Sequence, residues 1–179
     1  FPWTKARRMP AGRSLRAQPR VKWRSVVEKI WLKSYPKGIP AEIDVNEYAS
    51  VREIFEESAG KYGSRPAFTC MGKSITFAEL DTLSAAFGAW LQGIGGGKGT
   101  RVALMMPNIL QYPVCLFGTL RAGATVVNVN PLYTARELEH QLADSGAEVI
   151  VVLENFAATL AEVVAKNKVK HEIVASMGE

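Results

Sequence analysis

From Arg101 onward, apolar residues fall into short unbroken runs, separated by segments in which they recur every three or four positions. The runs Arg101–Met106, Thr125–Val129, Ala147–Leu153 and Glu172–Ala175 predict strands. The segments between them predict a helix from Pro107-Asn108 to Arg121, a second over Ala135–Asp144 and a third over Phe156–Lys166. Continuous rather than alternating apolar runs mark a sheet covered on both faces. Strand and helix in regular alternation therefore predict an α/β fold: a mostly parallel, doubly wound sheet with right-handed crossovers and helices on both faces. Gly123 and Gly146 stand where the first two helices should stop, and Thr134 with Glu137 forms a capping box at the start of the second.

The upstream half reads differently. Ser50 is placed to cap a helix with Glu53 as its partner, and Val51, Ile54, Phe55 and Ser58 or Ala59 form its inner stripe; Gly60 to Gly63 closes it. Two short strands, Ala67–Cys70 and Ser74–Phe77, are joined by a turn at Met71-Gly72-Lys73. Thr76 or Phe77 then leads into a helix to about Leu91, with Leu80, Leu83, Ser84, Phe87, Trp90 and Leu91 on one buried face; Gly93 to Gly99 ends it. Between Ile30 and Tyr48 the prolines predict an extended segment.

Charge divides the chain. The formal net charge is +5, yet eight of the 22 basic residues lie between Phe1 and Arg24, where there is no acid. The other 14 face 17 acidic residues, so the body is mildly acidic. Residues 1–26 thus read as a basic leader, disordered or not native to the fold, and residues 27–179 as the folded portion. A presequence, a nucleic-acid arm and upstream translation with a start at Val27 are the alternative readings of the leader. Nothing resembling a nucleic-acid reading module follows it, and no nucleic-acid partner is expected. The leader also lacks the apolar core and cleavage site of a signal peptide. Residues 102–120 carry no charge, but Pro107, Asn108, Gln111 and Pro113 rule against a spanning helix. Cys70 and Cys115 are too few for a disulfide framework; both read as buried, inert thiols in a reducing, cytoplasmic setting.

Several constellations invite chemistry. Gly95-Gly96-Gly97-Lys98-Gly99-Thr100 has neither the spacing of a phosphate loop nor its strand-to-helix setting, and reads as a helix-terminating loop. His140 and His171 have no cysteine or carboxylate at ligand spacing, so no metal site is expected. The segment Val126–Tyr133 leaves a predicted inner strand at its carboxyl end, the edge at which open α/β sheets bind ligands. Asn130 and Tyr133 either present polar groups to such a crevice or, for Asn130, cap the turn before Pro131.

These same residues carry a family likeness. The runs Arg101–Asn108, Gln111-Tyr112-Pro113, Leu120–Gly123, Asn128–Thr134 and Arg136–Leu142, with Trp31-Leu32 and Tyr35-Pro36, resemble the bacterial long-chain fatty acid–CoA ligases, a branch of the adenylate-forming superfamily. The resemblance implies a two-step reaction. A fatty carboxylate attacks the α-phosphorus of ATP, with Mg2+, giving acyl-adenylate and pyrophosphate; the CoA thiol then displaces AMP. It also implies that the loop Asn130-Pro131-Leu132 lies near the passage for the pantetheine arm of CoA. The family's Ser/Thr/Gly-rich loop leading into Pro-Lys-Gly, its Tyr-Gly-x-Thr-Glu segment, its ribose-binding Asp and its mobile C-terminal Lys do not occur here. The chain is therefore expected to be the opening portion of such an enzyme, with no catalytic residue of its own and no activity alone. It is also expected to bind ATP, Mg2+ and CoA at most weakly, to touch a membrane only peripherally, and to self-associate, as a homodimer or by aggregation. The alternative is a short non-catalytic binding or assembly module built from the same half-domain.

Overall fold

The structure, a computed structural model, describes residues 28–177. The basic leader and the Val27 boundary lie outside the described residues. Two compact units divide at Asp44 and Val45. In the first, Ile30–Ser34 forms a turn of 3-10 helix rather than the expected extended segment. Its turn is closed by Leu32 N donating to Lys29 O and Tyr35 N to Leu32 O. The prolines begin only at Pro36, so nothing forbids one helical turn before them.

The second unit opens with α1 (Val51–Tyr62), capped by Ser50, whose hydroxyl accepts from Glu53 N at 3.2 Å. The reciprocal bond differs from a standard box, since Glu53 accepts from Ala49 N rather than from the cap residue. Phe55 is buried on α1 and stacks on Phe117 with centroids 4.0 Å apart, whereas Val51 and Ile54 are exposed. The expected inner stripe is thus narrower than its spacing suggested, because α1 packs through one side only. Strands β1 (Pro66–Cys70) and β2 (Lys73–Thr76) pair antiparallel. Met71 and Gly72 both have positive φ, the mirror-image turn whose twist matches a two-residue hairpin.

Helix α2 (Phe77–Gly93) begins with a complete capping box between Thr76 and Glu79 and buries Leu80, Ser84, Gly88 and Leu91. Leu83 and Trp90, expected on the same face, are exposed. The buried line is narrow because its partner comes very close. Helix α3 (Gln111–Arg121) buries Cys115, Gly118 and Thr119. A Cβ built on Gly88 would lie 2.9 Å from the Gly118 carbonyl oxygen. One built on Gly118 would lie 2.7 Å from both Ser84 O and Phe87 Cδ1. Arg121 bolts the end of this contact. Its guanidinium donates to Asp81 O at 2.7 Å, pairs with the Asp81 carboxylate, and lies over the Phe55 ring. Pro113 sits in the first turn of α3, where a missing amide hydrogen costs nothing.

Behind these helices runs a four-stranded parallel sheet in the order β4-β3-β5-β6, formed by β3 (Arg101–Met105), β4 (Thr125–Asn128), β5 (Val149–Leu153) and β6 (His171–Ala175). Alternate residues of β3 and β5 face opposite layers. Val102, Leu104, Val149, Val151 and Leu153 pack with Leu91 of α2 and Cys115 of α3. Ala103, Met105, Ile150 and Val152 pack with Leu138 and Leu142 of α4 (Ala135–Ser145) and with Leu160 and Val163. Both faces are covered, as the continuous apolar runs require. The expected single helix Phe156–Lys166 is broken into a 3-10 turn at Glu154–Phe156, the short α5 (Ala157–Ala161) and a second turn at Val164–Lys166. Val163 leaves helical geometry at φ −126°, and Asn167 Nδ2 donates to Val163 O at 2.8 Å. Leu160 and Val163, three apart, are then buried together, as a 3-10 spacing allows.

Cys115 is buried, and desolvation pushes its thiol up to about 12. Cys70 is only half-buried, which corrects the reading of both thiols as fully buried.

Two outcomes follow from this packing. Gly118→Ala should lose about 1–3 kcal/mol by overpacking in urea unfolding. Gly60→Ala in α1, where nothing lies within 4 Å, should gain about 0.5–1 kcal/mol through helix propensity. Equal effects at the two sites would refute a close contact at Gly118. With a thiol reagent near pH 8, native protein should modify Cys70 alone, Cys115 reacting only after unfolding. Because the folded pKa of Cys115 is raised, the unfolded state ionises first, and stability should fall as pH rises above the ordinary thiol range.

Candidate functional site

In the strand order β4-β3-β5-β6, the chain steps from β3 outward to β4 and then returns across β3 to β5. The order reverses at β3 and β5, and ligands of such sheets bind beyond the carboxyl ends of the strands at that point. Three connections leave this edge: Pro107-Asn108 after β3, Asn130-Pro131-Leu132 after β4, and Glu154 after β5. A chain of polar groups ties the edge together. Gln111 Nε2 at the start of α3 donates to Ser176 O at 2.9 Å, and Ser176 Oγ donates to Glu154 Oε1 at 2.9 Å.

The loop after β4 is built with little slack. Val129 N continues the parallel ladder by donating to Leu104 O at 3.0 Å. The Asn130 side-chain oxygen accepts from Leu132 N at 3.0 Å, and its main-chain oxygen accepts from Tyr133 N at 3.1 Å. Asn130 therefore closes the turn before Pro131, one of its two expected roles. Tyr133 is half-buried against the α4 side of the sheet. Leu132 stands 79% exposed at the tip, an unusual position for leucine in so tight a turn.

Helix α4 begins directly afterwards, and its start is already occupied. Thr134 Oγ1 accepts from Glu137 N, while the Glu137 carboxylate accepts from the Thr134 amide at 2.9 Å and its hydroxyl at 2.8 Å. Those two bonds hold the Glu137 carboxyl below the ordinary carboxylate range. The positive end of the α4 dipole is thus matched by a side chain of the same helix. Alongside lies an open hollow of about 740 Å3, bordered by Tyr133, Arg136, His140 and Asp144, a lining of mixed sign. A second hollow of about 560 Å3, chiefly apolar, lies between β2, α2 and α3 and is lined by Ile75, Ala78, Leu83, Leu110 and Val114.

The remaining sequence candidates lie elsewhere. The glycine loop connects α2 to β3 at the amino edge of the sheet, with Gly97 N donating to Thr100 Oγ1. It is a helix stop, as expected. Pro36-Lys37-Gly38 follows the 3-10 turn at Ile30–Ser34, not a Ser/Thr/Gly-rich loop. His140 is exposed on α4, and His171 meets Trp90 edge-on at 6.3 Å. Among the described residues, no three His, Cys, Asp or Glu side chains converge to hold a metal, and no helix is long and apolar enough to cross a membrane. Sequence reasoning missed Tyr112, Asn128 and Gln141. Tyr112 Oη is 2.8 Å from Asn128 Oδ1, and Gln141 Nε2 donates to Asn128 O at 2.9 Å. The one signal available was an asparagine, a poor strand former, ending a run of valines.

Comparison with known proteins sets this geometry in context. Residues 55–179 match the family model of AMP-binding enzymes. Over 154 residues the chain is 59% identical to a long-chain-fatty-acid–CoA ligase of Yersinia pestis, covering 86% of this chain and 27% of that protein. It is 39% identical over 127 residues to a long-chain-fatty-acid–CoA ligase of Bacillus subtilis, covering 71% and 22%. Among solved structures, a long-chain-fatty-acid–CoA ligase of Archaeoglobus fulgidus is similar with a TM-score of 0.65 at 28% identity, over 70% of this chain and 27% of that one. The chain spans little more than a quarter of the length of the Yersinia relative. With its parallel sheet, its reversal of strand order and a family match that runs from α1 past β6, the chain belongs to the AMP-binding enzymes.

Proposed function

We propose that this chain forms the N-terminal part of the adenylate-forming domain of a long-chain fatty acid–CoA ligase. The observation that carries the reading is the 59% identity to the Yersinia ligase over 154 residues, 86% of the chain. In the reaction, a fatty carboxylate oxygen bonds to the α-phosphorus of ATP and pyrophosphate leaves. The CoA sulfur then bonds to the acyl carbon, AMP leaves, and the thiol proton passes to solvent or a base. Catalysis of phosphoryl and acyl transfer rests on positioning and charge stabilisation.

The described residues supply little of that stabilisation. They present no metal cluster, and the α4 start is neutralised by its own Glu137. Grip on ATP and Mg2+ is therefore assigned to segments that the relatives possess beyond the stretch matched here. This chain contributes the sheet, and at its carboxyl edge the loop Asn130-Pro131-Leu132, which we assign to the passage for the pantetheine arm of CoA. Exposed Leu132 suits that role, because the arm is a slender amide chain with methylene stretches that an apolar tip can contact without competing hydrogen bonds. Contact with a bilayer is peripheral in this reading, at the cytoplasmic face, where a long-chain fatty acid partitions.

Among the described residues β4 and β6 are sheet edges, with Val174 of β6 exposed. Open edges and exposed apolar side chains favour pairing between copies. Size exclusion should show dimers or larger species; a sharp monomer peak with cooperative unfolding would count against this. The functional reading is tested by ATP–pyrophosphate exchange with palmitate. This chain should show none, and the same chain extended to the length of the Yersinia relative should show exchange. Exchange by the chain alone would overturn the assignment of ATP grip to other segments, and no exchange by the extended protein would overturn the ligase reading.

A further inference from the structure

The end of β4 is held from both faces of the sheet. Asn128 is its last residue, paired with Leu104 in the parallel ladder. On the α3 side, Tyr112 Oη and Asn128 Oδ1 lie 2.8 Å apart. The Tyr112 ring packs into the apolar layer beneath α3, so the hydroxyl is delivered by a fixed support. From α4, Gln141 Nε2 donates to the main-chain oxygen of the same Asn128 at 2.9 Å. Among the described residues β4 is an edge strand, paired by the ladder on one side only. Here a side-chain bond and a main-chain bond, from two different helices, fix one residue immediately before the exit loop. Two residues later Asn130 closes its turn, and four later Leu132 stands exposed.

We propose that Tyr112 and Gln141 are positioning residues that set the exit angle of the loop Asn130-Pro131-Leu132, and through it the fit of the CoA arm, without acting on acyl-adenylate formation. The proposal rests on the assignment of this loop to the CoA passage. Its physical basis is short leverage. Only Val129 separates the doubly held Asn128 from the turn, and Val129 is itself buried and bonded to Leu104 O. Loss of either clamp frees the loop to rotate about the strand end while the sheet behind it stays intact. A loop held before ligand arrives does not have to be ordered by it, and releasing it should weaken binding of the ligand it meets.

The test uses the extended ligase with Tyr112→Phe, which keeps the ring and its packing, and Gln141→Met, which keeps the length and removes the donor. In each variant, hydrogen exchange at the bonded amides of Val129, Leu132 and Tyr133 should rise about fivefold, the loss expected for one hydrogen bond, while the β5 amides stay protected. KM for CoA should rise by about the same factor, with ATP–pyrophosphate exchange unchanged. A merely structural role would depress both half-reactions together and would overturn the proposal, as would unchanged loop exchange and CoA KM in both variants. Leu132→Glu separates the two layers of inference. If it leaves the CoA KM unchanged, the loop is not part of the CoA passage and the proposal fails with that assignment. If it raises the CoA KM while Tyr112→Phe and Gln141→Met do not, the passage stands and the positioning role alone is refuted.

Discussion

The backbone approach of α2 and α3 at Gly88 and Gly118 is the constraint on which the remaining geometry depends. At that crossing a methyl group on either glycine would meet carbonyl oxygen under 3 Å away. The two helices can therefore sit as one slab on the α3 side of the sheet, with Leu91 and Cys115 reaching the same strand residues. Arg121 fixes the rotation of the pair, because it bonds the Asp81 carbonyl and carboxylate on α2 while its flat face lies on Phe55 of α1. Burying a guanidinium is costly unless its charge is met, and here Asp81 meets it, with Glu56 3.6 Å from Nε, although Nε itself has no hydrogen-bond partner.

That slab decides where the start of α3 lies, and with it the carboxyl edge of the sheet. Gln111 reaches Ser176 beyond β6, and Tyr112 reaches Asn128 at the end of β4, so one turn of α3 touches two strands on opposite sides of β3 and β5. Rigidity at this edge comes from few bonds, each placed where the ladder ends. The loops themselves carry little internal structure beyond the Asn130 turn. An edge framed in this way is held by its supports more than by bonds within its loops.

The distribution of charge along α4 has a comparable logic. A helix start at the carboxyl edge of an α/β sheet is a natural seat for phosphate, yet here Glu137 completes the box with Thr134 and fills that seat from within. The same box occurs at α2, where Glu79 is likewise held below the ordinary carboxylate range by its bonds to the Thr76 amide and hydroxyl. The starts of α2 and α4 are therefore both closed by their own glutamates.

Local chemistry was legible in the sequence because its causes are local. Thr134 and Glu137, Gly146 at φ +63° and the turn at Met71-Gly72 depend on neighbours within four residues, and each stands where reading placed it; the box of Thr76 and Glu79 is equally local but went unread. The unbroken apolar runs of β3 and β5 likewise announce burial on both faces. Tertiary structure alone decided which helices meet and on which side. Val51, Ile54, Leu83 and Trp90 have helical spacing suited to a core, yet they are exposed because the close approach of α2 and α3, and the single-sided packing of α1, leave room for small residues rather than large ones. Likewise the 3-10 geometry after α5 and the grip of Tyr112 and Gln141 on Asn128 arise from contacts that periodicity does not encode. A hydroxyl or an amide finds its partner only after the sheet has brought together chain segments 13 and 16 residues apart.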